Sequence, residues 1–185
     1  MAHRVCPWWL GYFLASPIRR LMMDPVPVVS PYLRPGMTVL EPGPGMGFFT
    51  LPMAKMVGNT GRIIAIDLQE KMIARLKKRA GKAGLNNRID ARVAPANSLA
   101  VSDLNNQVDF TLAFAMVHEL PDQHPFFREI AAASKSGAQL LIAEPSGHVT
   151  EHDFQDELRR AAEAGFSVVD QPTMKRSQTA LLRKS

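Results

Sequence analysis

The sequence predicts an α/β domain built on a largely parallel sheet, and three observations carry that reading. Residues 39–47, Val-Leu-Glu-Pro-Gly-Pro-Gly-Met-Gly, form an aliphatic run that ends in an acid and passes into three alternating glycines, with a helical pattern from about Phe48. A second apolar run, Arg62-Ile63-Ile64-Ala65-Ile66-Asp67, follows at the spacing of a right-handed strand, helix, strand unit. Two more apolar runs, 107–114 and 138–145, flank a helical pattern at 125–134. Such short continuous runs suit strands that are covered on both faces.

In chain order, residues 3–33 come first, dense in aromatics (Trp8, Trp9, Tyr12, Phe13) and broken by Pro17, Pro25, Pro27 and Pro31. This composition predicts short helices interrupted by proline, and residues 1–34 are set apart from a domain over 35–185. Pro35-Gly36 turns the chain into the first strand, 37–41. The glycine turn follows, and it reads as a floor for a ligand, because glycine is required where the backbone takes a positive φ or lies directly against a bound molecule. A dinucleotide fingerprint would place its third glycine at Phe48, so a nicotinamide cofactor is disfavoured. Glu41 at the strand end would repel a pyrophosphate and suits a ligand that carries positive charge.

The breaker Gly58-Asn59-Thr60-Gly61 precedes the second strand, which ends at Asp67. A carboxylate at that place, about twenty residues beyond the glycines, is able to accept both hydroxyls of a ribose; a helix N-cap is the competing role. A helix over 68–83 and a third strand over 88–93 follow.

At these residues the chain resembles the class I S-adenosylmethionine-dependent methyltransferases, in the small-molecule branch that includes quinone-type and arsenite-type methyltransferases. That family's first motif is two aliphatics, an acid, any residue, and three glycines at alternate positions, as in 39–47. The resemblance implies a Rossmann-like, seven-stranded, mostly parallel sheet with an antiparallel last strand, and S-adenosyl-L-methionine as cofactor. It implies that Gly43, Gly45 and Gly47 lie along the methionine and ribose part of that cofactor, with Glu41 near its amino group, Asp67 on the ribose and Leu68 against ribose or adenine. The loop after the third strand departs from the family. Its usual acid is replaced by Pro95, which leaves the Ala96 N–H and the Asn97 side chain to meet the adenine.

The fourth strand, 107–114, carries Asp109 at its entry, where a structural role is expected because ligands gather at the carboxyl ends of parallel strands. At its exit the resemblance sets Phe114 on the methionine side and His118 and Glu119 at the substrate cavity. His118 is the candidate for acid–base work, since its ordinary pKa lies near neutrality, against the plainer role of a histidine bonded within the fold. A metal held by His118, Glu119 and His124 lacks the two-histidine spacing of a zinc helix, and no metal is expected. Lys135-Ser136-Gly137 ends the next helix, and the fifth strand, 138–145, closes on Glu144, either a cavity carboxylate or a loop anchor. A helix over 151–164 and strands at 165–170 and 177–183 complete the chain, the last two as the hairpin typical of the family.

At 185 residues and 46% hydrophobic content the chain fits a single core. One cysteine, Cys6, excludes an internal disulfide framework and suits the cytoplasm. The formal charge of +5 is spread over scattered pairs such as Arg19-Arg20 and Lys175-Arg176, and no run is long enough to cross a bilayer. The expected function is methyl transfer to a small-molecule acceptor. A nucleic-acid methyltransferase is disfavoured, because the place after the fourth strand reads Ala115-Met116-Val117-His118, not the Asn- or Asp-Pro-Pro-aromatic motif of base amino methylation. A protein that binds the cofactor without catalysis is the other alternative. With few residues between the fifth strand and the next helix, Trp8, Trp9 and Tyr12 are expected to cover the site and meet the acceptor. A peripheral membrane contact, with Arg19 and Arg20 at headgroups, or ordinary core packing would use the same aromatics differently. The sequence gives no oligomeric state.

Overall fold

The structure is a computed structural model that describes residues 23–185. The aromatic segment with Trp8, Trp9 and Tyr12 lies outside the described residues. The chain divides into two compact units at Ala94 and Pro95. Among the described residues, seven strands lie in the order β3 (Ile89–Val93), β2 (Arg62–Asp67), β1 (Thr38–Pro42), β4 (Val108–Phe114), β5 (Ser134–Pro145), β7 (Ser177–Lys184), β6 (Phe166–Asp170), six of them parallel and β7 antiparallel.

The first unit opens with helix α1 (Pro25–Val29), whose N-cap Asp24 accepts the Val26 N–H at 3.0 Å, with Pro25 at a position where a missing N–H is harmless. Strand β1 (Thr38–Pro42) pairs in parallel with β2 (Arg62–Asp67), and β2 in turn with β3 (Ile89–Val93). Val39, Leu40, Ile63, Ile64 and Ala65 have no exposed surface, as expected for strands covered on both faces. Helix α2 spans Thr50–Met56 and helix α3 Glu70–Lys82. α3 buries Met72, Ile73, Leu76 and Ala80, a 3.6-residue stripe, and ends before Gly84 at φ +67°. The helices expected at 48–57 and 68–83 start two residues later, the first because Phe48 and Phe49 belong to the glycine turn and pack edge to face with centroids 5.2 Å apart, the second because Gln69 is an extended N-cap.

In the second unit, β4 (Val108–Phe114) and β5 (Ser134–Pro145) are parallel, and β7 (Ser177–Lys184) runs antiparallel to both β5 and β6 (Phe166–Asp170). Helix α4 (Gln123–Ala133) starts under Asp122, which accepts the His124 N–H at 2.9 Å. Helix α5 (Glu151–Glu163) starts in a capping box in which Thr150 and Asp153 bond reciprocally. Lys135-Ser136-Gly137 does not end a helix as expected. Those residues lie within β5, which begins at Ser134, and they bulge where the register jumps between Val108 and Phe110, with Gly137 supplying φ +77°. Asp109 has the structural partner its position suggested, an ion pair with Lys135 at 2.5 Å.

Candidate active site

Two constellations of polar groups stand at the carboxyl ends of the strands, one in each unit. In the first unit, β1 delivers Glu41 into the core, where it is only 3% exposed. Its Oε2 has no hydrogen-bond partner. Burial pushes the carboxyl up to about 8; the Thr50 hydroxyl beside it, short of a formed hydrogen bond, pulls the other way, and the nearby Asp67 adds to the rise. An orphaned carboxylate oxygen in a protein interior costs free energy unless a donor meets it.

The turn that follows takes positive φ at Gly43 (+67°), Gly45 (+54°) and Gly47 (+86°), with the Gly43 N–H bonded to the Ile66 carbonyl at 2.8 Å. The glycines differ in purpose. A Cβ on Gly45 would meet nothing within 4 Å, so open space lies over the turn there. A Cβ on Gly47 would come 2.5 Å from Leu76 Cδ1, so that residue is glycine to let α3 approach. Gly47 thus has a packing role beside the place in a ligand floor expected of all three glycines.

Asp67 ends β2, and its Oδ1 accepts the Gln69 N–H at 2.8 Å. Gln69, not Asp67, is the N-cap of α3. Burial raises the Asp67 carboxyl, while the backbone N–H groups of Gln69, Gly45 and Leu68 oppose the rise, so this acid also ties the glycine turn to the helix entrance. Leu68 next to it is 47% exposed, an apolar side chain turned to the surface.

The second unit begins with the loop that departs from the expected pattern. Ala96 and Asn97 are exposed at its tip. Glu129 on α4 holds the loop by accepting the Leu99 N–H at 2.8 Å and the Ser98 hydroxyl at 3.2 Å. After Phe114, half-buried at the end of β4, Ala115 takes φ +52°, an unfavourable conformation for an L-residue. Its N–H bonds the Ala143 carbonyl at 2.7 Å. The single turn Val117–Glu119 follows and presents His118.

Glu144, fully buried at the end of β5, anchors that turn. Its Oε1 accepts the N–H groups of Met116 (3.2 Å) and Val117 (2.8 Å), and its Oε2 bonds His118 Nδ1. The bond to Glu144 raises the His118 pKa against the opposing effect of burial. The His148 ring stacks beside it, with centroids 6.2 Å apart and planes at 23°. Behind this pair Gln123 donates to the Val117 carbonyl (3.1 Å) and to Glu157 Oε1 (3.3 Å), and accepts from Arg160 (2.8 Å). Glu157 is buried with Oε2 unpartnered, and burial followed by the Glu144 charge raises it to about 8.

Gln123, Glu129, His148 and Glu157 are absent from the sequence reading. Glu157 alone had a signal: it shares the apolar face of α5 with Phe154, Leu158 and Ala161, an acid where the helical period calls for a core residue. Among the described residues no three His, Cys, Asp or Glu side chains are grouped to hold a metal ion, and His124 lies 3.4 Å from Glu163. Among the same residues no helix is long and apolar enough to cross a membrane.

Comparison with known proteins supplies the context. The profile of one family, a methyltransferase domain, matches residues 33–184. The chain is 31% identical over 113 residues to a ubiquinone/menaquinone biosynthesis C-methyltransferase of Hydrogenovibrio crunogenus, an alignment that covers 60% of this chain and 43% of that protein. It is 26% identical over 112 residues to an arsenite methyltransferase of Halobacterium salinarum, covering 60% of this chain and 28% of the relative. The match therefore spans less than half the length of either relative. Among solved structures, a SAM dependent methyltransferase from Aquifex aeolicus superposes with a TM-score of 0.84 at 25% identity, covering 97% of this chain and 98% of that one.

Proposed function

Because this chain belongs to the methyltransferase-domain family, we propose that it transfers a methyl group from S-adenosylmethionine to a small-molecule acceptor. The observation that carries the reading is the buried, unpartnered oxygen of Glu41 at the head of a glycine turn with open space over Gly45. That combination fits a ligand with a cationic amino group and a chain lying against the backbone. In this reading Glu41 receives the amino group, Gly43, Gly45 and Gly47 form the floor, and Asp67 accepts the ribose hydroxyls. Leu68 packs on ribose or adenine, Ala96 and Asn97 meet the adenine edge, and Phe114 lines the methionine side. The names of the two relatives, a quinone-pathway and an arsenite methyltransferase, support an acceptor that is a small molecule.

When bound, the cofactor supplies an electrophilic methyl on a sulfonium. The protein's part is to orient the acceptor in line with that methyl and to exclude water. We further propose that Trp8, Trp9 and Tyr12 of the N-terminal segment, which lie outside the described residues, contact the acceptor. His118 is placed at the acceptor. The reaction is set in the cytoplasm, where Cys6 stays reduced.

Calorimetric titration with S-adenosylmethionine tests the proposal. Wild-type protein should bind, and Asp67→Ala should bind about 10- to 100-fold more weakly, a loss of about 1.5 to 3 kcal/mol for a hydrogen bond to a charged group. Equal affinity in the two proteins would remove Asp67 from the site, and no binding to wild type would overturn the function.

A further inference from the structure

We infer that Glu144 is a positioning residue that sets His118 as a general base at Nε2, and that the acceptor this arrangement serves is a phenolic hydroxyl. The inference rests on the methyl-transfer reading above and names the acceptor chemistry of that site.

The hydrogen-bond partners point to one tautomer. Glu144 has no exposed surface, and three hydrogen bonds occupy it, two from the backbone of Met116 and Val117 and one shared with His118 Nδ1. With two backbone N–H groups already donating to its Oε1, the carboxylate is set as an acceptor, which assigns the shared hydrogen to Nδ1. A neutral imidazole then carries its lone pair on Nε2, the atom a base uses. The side chain of His118 is 26% exposed, so Glu144 secures one edge of the ring while the ring keeps access to the surface.

The surroundings tune the base. The bond to Glu144 from β5 and the charge of Glu119 in the same turn favour the imidazolium, burial disfavours it, and Glu157 from α5 adds to the rise only once it is ionised. Arg160 reaches this group through Gln123, and the His148 ring lies alongside. The net direction is a pKa above the ordinary 6.5. Such a base matches a phenol, whose pKa is about 10, as for tyrosine. A thiol, at about 8.5, already ionises enough near neutrality to need little help. The near-parallel faces of His118 and His148 also offer a flat aromatic acceptor a flat neighbour.

The step balances without another reagent. The hydroxyl proton passes to His118 Nε2, the freed oxygen pair forms the new O–C bond, and the S–C pair remains on sulfur as a neutral thioether. The proton then leaves His118 to water.

The test uses the full chain labelled with 15N-histidine. Long-range proton–nitrogen NMR should show neutral His118 protonated on Nδ1, with a pKa above 6.5. In Glu144→Gln the amide still accepts the Met116 or Val117 N–H, but its NH2 now faces Nδ1 and should flip the ring to the Nε2–H tautomer and lower its pKa. With catechol as acceptor, Glu144→Gln and His118→Asn should lower kcat by about 10² to 10⁴, the usual worth of a general base, and leave KM nearly unchanged. S-adenosylmethionine affinity should stay within about twofold in both. A wild-type His118 protonated on Nε2 in its neutral form overturns the positioning role without any variant having to fold. Wild type that binds the cofactor yet does not methylate catechol overturns the acceptor class, while absent cofactor binding would overturn the methyltransferase reading itself.

Discussion

Glu41 is 3% exposed with one oxygen unpartnered, and burial holds its carboxyl at about 8, so the free protein keeps it protonated near neutrality. A cationic amino group arriving at that oxygen favours the ionised form. Binding should therefore release a proton, and affinity should rise with pH up to about 8. Calorimetry at pH 7 in two buffers of different ionisation enthalpy measures this directly. The observed enthalpy should depend on the buffer in wild type and lose most of that dependence in Glu41→Gln. A wild type without buffer dependence would separate Glu41 from the ligand. The His118 pKa is raised as well, but for a different reason: the bond to Glu144 favours its charged form, whereas burial favours the neutral form of Glu41.

The glycine turn illustrates how one element serves two tasks. Gly45→Val should leave a folded protein that fails to bind S-adenosylmethionine, because the space over Gly45 is open and the branched side chain would fill it; the positive φ itself costs about 1 to 2 kcal/mol. Gly47→Ala should instead lower the thermal midpoint more than Gly45→Ala does, since its methyl would lie 2.5 Å from Leu76 Cδ1. Thermal unfolding of the two alanine variants checks this, and equal losses would remove the packing explanation. The turn was legible in the sequence because apolar runs, an acid and glycines are local signals, and β1, β2 and the α3 stripe followed from the same kind of pattern. Gly137 was misread because a glycine after a helical run looks like a stop, whereas the chain uses it for a bulge inside β5. The polar network was not legible. Gln123 and Glu157 lie 34 residues apart, and Leu99 and Glu129 lie 30, so nothing local announces either contact. Glu144 showed its position at a strand end but not its partners, which depend on how the chain turns after Phe114.

At the scale of the whole molecule, buried acids make stability depend on pH. Glu41 and Glu157 ionise near 4.5 when unfolded and near 8 when folded, and Asp67 shifts in the same direction. Between those values the folded chain binds more protons than the unfolded chain, so stability falls as pH rises from about 4.5 to about 8. Thermal midpoints across that range should decline, and Glu157→Gln, which keeps the size of the side chain without its ionisation, should flatten the decline; an unchanged slope would show that Glu157 is ionised in the native state. The strand order has a different consequence, for synthesis. β7 follows β5 and β6 along the chain, yet it pairs with both of them. Until residues 177–184 emerge, the apolar edge formed by Leu140, Leu141 and Ile142 has no β7 to cover it, and β6 has no strand to join. The nascent chain therefore completes this part of its sheet only once residues 177–184 have emerged, and a ribosome paused before Ser177 would hold an open strand edge of the kind that invites aggregation.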